Sequence, residues 1–153
     1  MRLVDDPPID IRPVTDADFP FLFRLQEILR RPALEATAGW DSAAQSVRLR
    51  ATVRPGRDQI IVHAGRDIGV LGVTRQPHRL WLRRIQLLPD CQGKGIGTAI
   101  LRAILAQGRA ARLPVFLRVR RDNPAVRLYE RLGFRITGED EARLEMTAEP
   151  DRL

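Results

Sequence analysis

Residues 92–97 read Gln92-Gly93-Lys94-Gly95-Ile96-Gly97, standing between an apolar run that ends in a proline, Ile85-Gln86-Leu87-Leu88-Pro89, and a helical pattern that opens at Thr98. Three glycines in five positions let successive backbone N–H groups converge on one concavity, and the N-terminus of the following helix adds partial positive charge. The occupant such a loop suits is a phosphate or pyrophosphate. Spacing excludes two familiar phosphate loops. A Walker loop needs Gly-x-x-x-x-Gly-Lys and then Ser or Thr, whereas Lys94 lies between the first two glycines; the dinucleotide fingerprint Gly-x-Gly-x-x-Gly needs a glycine where Thr98 stands. On these six residues alone, an ordinary glycine-rich turn capping a helix remains the alternative.

Working outward, apolar residues at 100, 101, 104 and 105 predict a helix over 98–111. The strand that follows, 115–120, is entered from a helix and should therefore run parallel to the strand at 80–88. Asn123 and Pro124 restart a helix as N-cap and first helical residue, Val126, Leu128, Tyr129 and Leu132 give it an apolar side, and Gly133 closes it. A hairpin over 134–138 and 142–148 ends the chain. Upstream, 59–64 and 68–75 read as an antiparallel hairpin turning at Gly65-Arg66-Asp67. Before them come a short strand at 9–13, a capped helix over 19–31 stopped by Pro32, a loop at 35–40 and a second helix from Asp41 to about Val53. Residues 1–8 read as a flexible lead-in.

The 153 residues suit one domain, 44% hydrophobic and 29% charged, with no run long enough to span a membrane and no signal-peptide pattern, so a cytoplasmic protein is expected. A single cysteine, Cys91, excludes an internal disulfide, and it has no histidine partner that would make it a nucleophile. His63 and His78 are too few and too far apart to suggest a metal. The net charge of +7 is almost all arginine, since Lys94 is the only lysine, and the arginines are spread along the chain. With aromatic residues at 5%, that pattern reads as a solvated surface and not as a nucleic-acid groove.

Two motifs in order give a resemblance. Gln92, Gly95 and Gly97 form Gln-x-x-Gly-x-Gly, and Asn123-Pro124-Ala125-Val126-Arg127-Leu128-Tyr129-Glu130-Arg131-Leu132-Gly133-Phe134 resembles Asn-x-x-Ala-x-x-Leu-Tyr-x-x-x-Gly-Phe with its alanine one place early. Together, over roughly residues 9–148, they are similar to the acetyl-coenzyme A motifs of the GNAT family of N-acetyltransferases. The resemblance implies an α/β acyl-CoA N-acyltransferase fold: a central mixed, mostly antiparallel sheet, splayed between its fourth and fifth strands at 80–88 and 115–120, and flanked by helices. It also implies acetyl-CoA as co-substrate and no metal. The pyrophosphate would lie on Gln92, Gly93, Lys94, Gly95, Ile96, Gly97 and Thr98, and the pantetheine on the backbone of Leu87 and Leu88 and on Asn123. The N–H of Leu88 would polarise the thioester oxygen, and Tyr129 would serve as general acid to the departing thiolate.

The acceptor side departs from the pattern. In relatives that acetylate ribosomal-protein N-termini a Leu-Glu-Val-Arg stretch precedes the asparagine; here Leu117-Arg118-Val119-Arg120 puts an arginine in place of the glutamate, and arginine is no base at neutral pH. Gln86 could position a water, while Glu35 and His78 are thinner candidates for a base. Arg118 with Arg84 could bind a carboxylate of the acceptor, and the segment from Glu35 to Asp41, with Trp40, lies where the family's first two helices form the acceptor wall. The reading is direct acetyl transfer to a primary amine, with a small-molecule acceptor, no membrane and no nucleic acid, and a homodimer left open. A coenzyme A sensor without catalysis, or acetylation of a protein N-terminus or an aminoacyl-tRNA, stands as the alternative.

Overall fold

Both hydrophobic periods of the sequence appear as elements in the structure, a computed structural model that describes residues 1–152. Among the described residues there are eight strands and four α-helices: β1 (Arg2–Val4), β2 (Ile9–Pro13), α1 (Phe19–Glu35), α2 (Ser42–Thr52), β3 (Gln59–His63), β4 (Arg66–Gln76), β5 (Arg79–Leu87), α3 (Ile96–Ala111), β6 (Val115–Arg120), α4 (Ala125–Arg131), β7 (Arg135–Glu139) and β8 (Arg143–Ala148). The strands bond in the order β1-β2-β3-β4-β5-β6-β8-β7. The β5–β6 pair is parallel, while β1–β2, β2–β3, β3–β4, β6–β8 and β7–β8 are antiparallel. This is the mixed sheet with flanking helices that the sequence leads one to expect. By packing, the chain divides into two compact units, Met1–Gly72 with Arg84–Ile96, and Val73–Arg83 with the chain from Gly97 onward.

In the first unit, β2 and β3 bury Ile9, Ile11, Ile60 and Ile61, and α1 buries Phe19, Leu22 and Leu25. Each such side chain contributes roughly 1.5–3 kcal/mol when fully withdrawn from water. Two expectations change here. The lead-in is structured: Arg2–Val4 pairs with β2, and the Met1 amino group donates to the Ile11 carbonyl at 2.9 Å while the Ile11 N–H donates to Met1 at 2.8 Å. Extended residues with backbone groups to satisfy add a strand to an otherwise open edge. Nor does Pro32 stop α1, which continues to Glu35. A proline removes one helical N–H but leaves the rest of the ladder, and Arg31 bridges the break by pairing with both Glu27 and Glu35. The N–H of Gly39, at φ 86°, then returns to the Leu34 carbonyl. As expected, Asp41 caps α2 by accepting from the N–H groups of Ala43 and Ala44 at 3.0 and 3.2 Å. Arg12 of β2 grips Asp18 with both ends of its guanidinium fork, at 2.9 and 2.8 Å, and also reaches Asp67 at 3.0 Å.

In the second unit one sheet face buries a continuous set of apolar side chains. Leu80, Leu82, Val115, Leu117 and Val119 are joined by Leu144, Met146 and Ala148 of β8, all buried. Against it α3 sets Ile100, Leu101, Ile104 and Leu105. Gly108 allows the close approach, because a Cβ there would stand 2.8 Å from the Leu113 carbonyl oxygen and 3.0 Å from Val115 Cγ2. The parallel β5–β6 register has three rungs, Leu80↔Val115, Trp81↔Phe116 and Leu82↔Leu117, although β5 runs on to Leu87 and β6 to Arg120.

Candidate functional site

The glycine-rich segment divides into a turn and the start of a helix. Leu88 leads into a 3-10 turn, Pro89–Cys91, closed by Cys91 N–H to the Leu88 carbonyl at 2.9 Å and Gln92 N–H to the Pro89 carbonyl at 3.1 Å. Gly93 and Gly95 then adopt φ of 71° and 82°, a region that side-chain-bearing residues occupy only at a cost. A Cβ at either would meet nothing within 4 Å, so these glycines are required by backbone conformation and the space above them is open. The helix α3 begins at Ile96, two residues earlier than the pattern suggested. Gly97 and Thr98 therefore belong to its first turn, where N–H groups lack helical partners and the dipole is positive. Gln92, Gly93, Lys94 and Gly95 are exposed, and the buried Ile96 anchors the segment from below.

The end of β5 is fixed by two bonds. Gln92 Nε2 donates to the Leu87 carbonyl at 2.9 Å, which ties the loop to the strand and gives the motif glutamine its purpose. The Leu88 N–H donates to the Ile68 carbonyl at 2.8 Å. That bond corrects the expectation that Leu88 would present its N–H to a thioester, since the donor is already engaged with β4. Backbone groups alternate along a strand, so the Leu87 amide is the one turned toward the opposite edge. Gly69 of β4 makes the approach possible: a Cβ there would lie 2.0 Å from the Gln86 carbonyl oxygen and 3.1 Å from Leu87 Cδ2.

Gln86 is held by partners that the sequence reading did not find. Gln26 of α1, 4% exposed, donates to Gln86 Oε1 at 2.6 Å and accepts from Gln86 Nε2 at 3.3 Å. Arg84 Nη1 adds a second donor to the same oxygen at 3.2 Å. A signal existed, because Gln26 lies beside Leu22 and Leu25 on the buried side of α1, where an unpaired amide would be unfavourable. Cys91 is buried, with Sγ 3.4 Å from Asp90 Oδ1, and burial first, then Asp90, pushes its thiol above the ordinary value. A raised thiol is less available as thiolate, in keeping with a cysteine that has no nucleophilic role.

The acceptor-side candidates of the first unit come together around Arg31. Its guanidinium bonds Glu35 and stands 5.9 Å from the Trp40 ring centroid, so the Glu35 carboxylate is committed to an ion pair. Trp40 donates to Ser42 Oγ at 3.1 Å and packs edge-on against Phe23 at 6.1 Å.

In the second unit, Asn123 accepts from the Ala125 N–H at 2.9 Å through Oδ1, which caps α4 and leaves the NH₂ end of the amide as a donor. Tyr129 is 8% exposed. Its position follows from the way α4 ends. Gly133, at φ 103°, returns its N–H to Glu130 at 3.1 Å, and Phe134 returns its own to Tyr129 at 3.0 Å. These are the paired bonds of a Schellman turn, and the hydrophobic contact that accompanies such turns is here Tyr129 against Phe134, edge-on at 5.6 Å. The Gly-Phe of the motif thus orients the tyrosine ring. Burial raises the phenol above its ordinary value of 10.0, and among the described residues no group is bonded to its hydroxyl. Arg118, read with Arg84 as a carboxylate-binding pair, donates to Glu145 at 3.0 Å across β6–β8, and Arg84 Nη1 donates to Gln86 at 3.2 Å. His78 is exposed in the turn between β4 and β5.

Among the described residues, no group of three or more His, Cys, Asp or Glu side chains is placed to hold a metal, and no helix is long and apolar enough to cross a membrane.

The family model described as an acetyltransferase (GNAT) domain matches residues 56–136, more than half of the chain. No curated protein sequence matches the chain. Among solved structures, an acetyltransferase from Thermus thermophilus is similar with TM-score 0.69 at 20% identity, covering 97% of this chain and 99% of that one. The PaiA N-acetyltransferase of Thermoplasma acidophilum, in complex with coenzyme A, has TM-score 0.66 at 18% identity, covering 92% of this chain and 98% of that one. The ribosomal-protein-S18-alanine N-acetyltransferase of Escherichia coli has TM-score 0.65 at 18% identity, over 92% and 93% of the two chains. At these identities the likeness is one of fold.

Proposed function

This chain belongs to the GNAT acetyltransferases, and from that premise we propose that it transfers the acetyl group of acetyl-CoA directly to a primary amine, carried by a small molecule, in a ternary complex. The observation that carries the reading is Tyr129, a buried phenol fixed by a Schellman turn, whose hydroxyl has no partner among the described residues. The donor-side residues suit coenzyme A. Two positive-φ glycines under open space and the first turn of α3 present backbone N–H groups to a pyrophosphate, with Lys94 adding charge.

Acetyl-CoA supplies an activated acyl carbonyl and a thiolate leaving group. The Leu87 N–H holds the carbonyl oxygen in the role first read for Leu88, and Asn123 donates to the pantetheine. Tyr129 donates a hydrogen bond at the sulfur; with its pKa raised by burial, full proton transfer to a thiolate is uphill, so the bond and not the transfer does the stabilising. Gln86, oriented by Gln26 and Arg84, holds a water that passes the proton of the amine on to bulk solvent. The test is to measure melting temperature with acetyl-CoA, then release of coenzyme A thiol with a broad panel of amines. No melting shift at millimolar acetyl-CoA would sink the donor assignment, and a shift without thiol release from any amine would favour a sensor over an enzyme.

A further inference from the structure

Arginines that are scattered along the sequence converge on one face of the second unit. Since Leu80, Leu82, Val115 and Leu117 point to the side packed by α3, alternation sets Trp81 and Phe116 on the other face, where Trp81 is half-buried and Phe116 is buried beneath the Arg79 guanidinium. The same alternation turns Arg79 and Arg83 of β5, and Arg118 and Arg120 of β6, to the outer face. The β6–β8 register sets Arg143 opposite Arg120, and β7 adds Arg135 opposite Thr147. Arg118, Arg120, Arg135 and Arg143 are exposed, and Trp81 is half-buried, so the face opens to solvent. Among the described residues, Glu145 pairs with Arg118 at 3.0 Å and Asp122 with Arg120 at 3.3 Å, whereas Arg79, Arg135 and Arg143 of this face have no carboxylate partner. The aromatics are woven into the charge: the Arg79 guanidinium lies 3.9 Å from the Phe116 centroid, that of Arg118 lies 6.0 Å from Trp81, and the two rings are 6.5 Å apart.

We propose that this sheet face binds single-stranded nucleic acid, with phosphates on the guanidinium groups and a base against Trp81. Three features favour that occupant. The excess charge suits a polyanion. Every cation is arginine, whose planar fork matches phosphate and whose flat surface also stacks. A ring set among guanidinium groups on a sheet offers a base something that an acidic protein segment would not use. The exposed Arg118–Glu145 pair is weak enough to be exchanged for a phosphate. The inference does not rest on the transferase reading, and it changes the meaning of the basic composition: dispersed in sequence, the arginines are gathered by strand register.

The experiment is fluorescence anisotropy of the full chain with a labelled, mixed-sequence single-stranded RNA of about twenty nucleotides, over a salt series. Saturable binding that weakens steeply with salt is expected, as is a loss of at least roughly tenfold when Arg118→Glu and Arg120→Glu are combined. Arg118→Gln with Arg120→Gln serves if the reversal fails to fold. The same charge change on α3, Arg102→Glu with Arg109→Glu, should leave affinity within about twofold. Trp81→Ala should weaken RNA binding roughly tenfold while sparing heparin, a polyanion without bases. No binding at low salt, or an equal loss from the α3 pair, would overturn the proposal. So would a Trp81→Ala variant that loses RNA and heparin alike, which would mean a general anion surface, or competition by polyglutamate as strong as by RNA, which would mean an acidic protein.

Discussion

Replacing Tyr129 by phenylalanine removes one oxygen and little else. The ring contact with Phe134 at 5.6 Å and the Schellman bonds that impose it involve no hydroxyl. Because the hydroxyl has no partner among the described residues, its loss orphans no protein group, and the melting temperature should stay within about 2 °C of wild type. The transition state, by contrast, loses a hydrogen bond to a developing thiolate. Bonds to charged groups are worth about 1.5–3 kcal/mol, which corresponds to a fall of roughly 10- to 150-fold in kcat with the KM for acetyl-CoA nearly unchanged. The pH profile separates this from a structural effect. Since burial moves the phenol above 10.0, the hydroxyl keeps its proton across the neutral and mildly alkaline range. The ratio of wild-type to Tyr129→Phe rates should therefore be flat from about pH 7 to about pH 10. Coenzyme A thiol release under saturating acetyl-CoA reads all of this. Unchanged kcat, or a fall in kcat matched by lost thermal stability, would refute the role given to the hydroxyl.

Gly95→Ala meets no steric neighbour but must hold φ 82°, so a loss of about 1–2 kcal/mol of stability is expected, with weaker coenzyme A binding by calorimetry; a variant equal to wild type in both would show that the loop tolerates another conformation. The Asp18 carboxyl is held below its ordinary 3.8 chiefly by the Arg12 hydrogen bond, with help from the Thr15 N–H. Its stabilising contribution is thus complete above about pH 4 and disappears as pH falls through the lower folded value, so Arg12→Ala should be less stable than wild type near neutrality and converge with it in acid. Urea unfolding across pH tests this, and a gap that does not narrow as pH falls below about 4 would contradict it.

Much of the fold was legible because its signals are local. Asp41 and Asn123 cap as hydrogen-bond chemistry requires, and Gly133 ends α4 because Phe134 and Tyr129 need that turn. Pro32 misled because a proline removes one N–H while side chains four residues either side of Arg31 can hold the helix across it. What resisted was pairing between distant segments. No spacing rule says that Leu88 bonds Ile68, that Gln86 meets Gln26 sixty residues away, or that Arg118 faces Glu145; those follow from strand register and helix packing. The glycine-rich loop at 92–97 and the motif from Asn123 to Phe134 are each contiguous and were readable, whereas the partners that fix Gln86 come from α1 and β5, far apart in sequence.

Gly69 shows what this assembly means for anyone who diversifies the protein. It belongs to no recognisable motif, yet in a substitution library it should be as invariant as the loop glycines, for the opposite reason. Gly93 and Gly95 lie under open space and need only an unusual backbone, so asparagine, which enters the left-handed region more readily than other residues, should be the most tolerated replacement. At Gly69 the obstacle is the Gln86 carbonyl, a backbone atom that cannot swing aside, and even alanine would displace the strand end carrying Leu87. The pattern of surviving sequences at these three positions would distinguish a glycine kept for its torsions from one kept for its absence of volume.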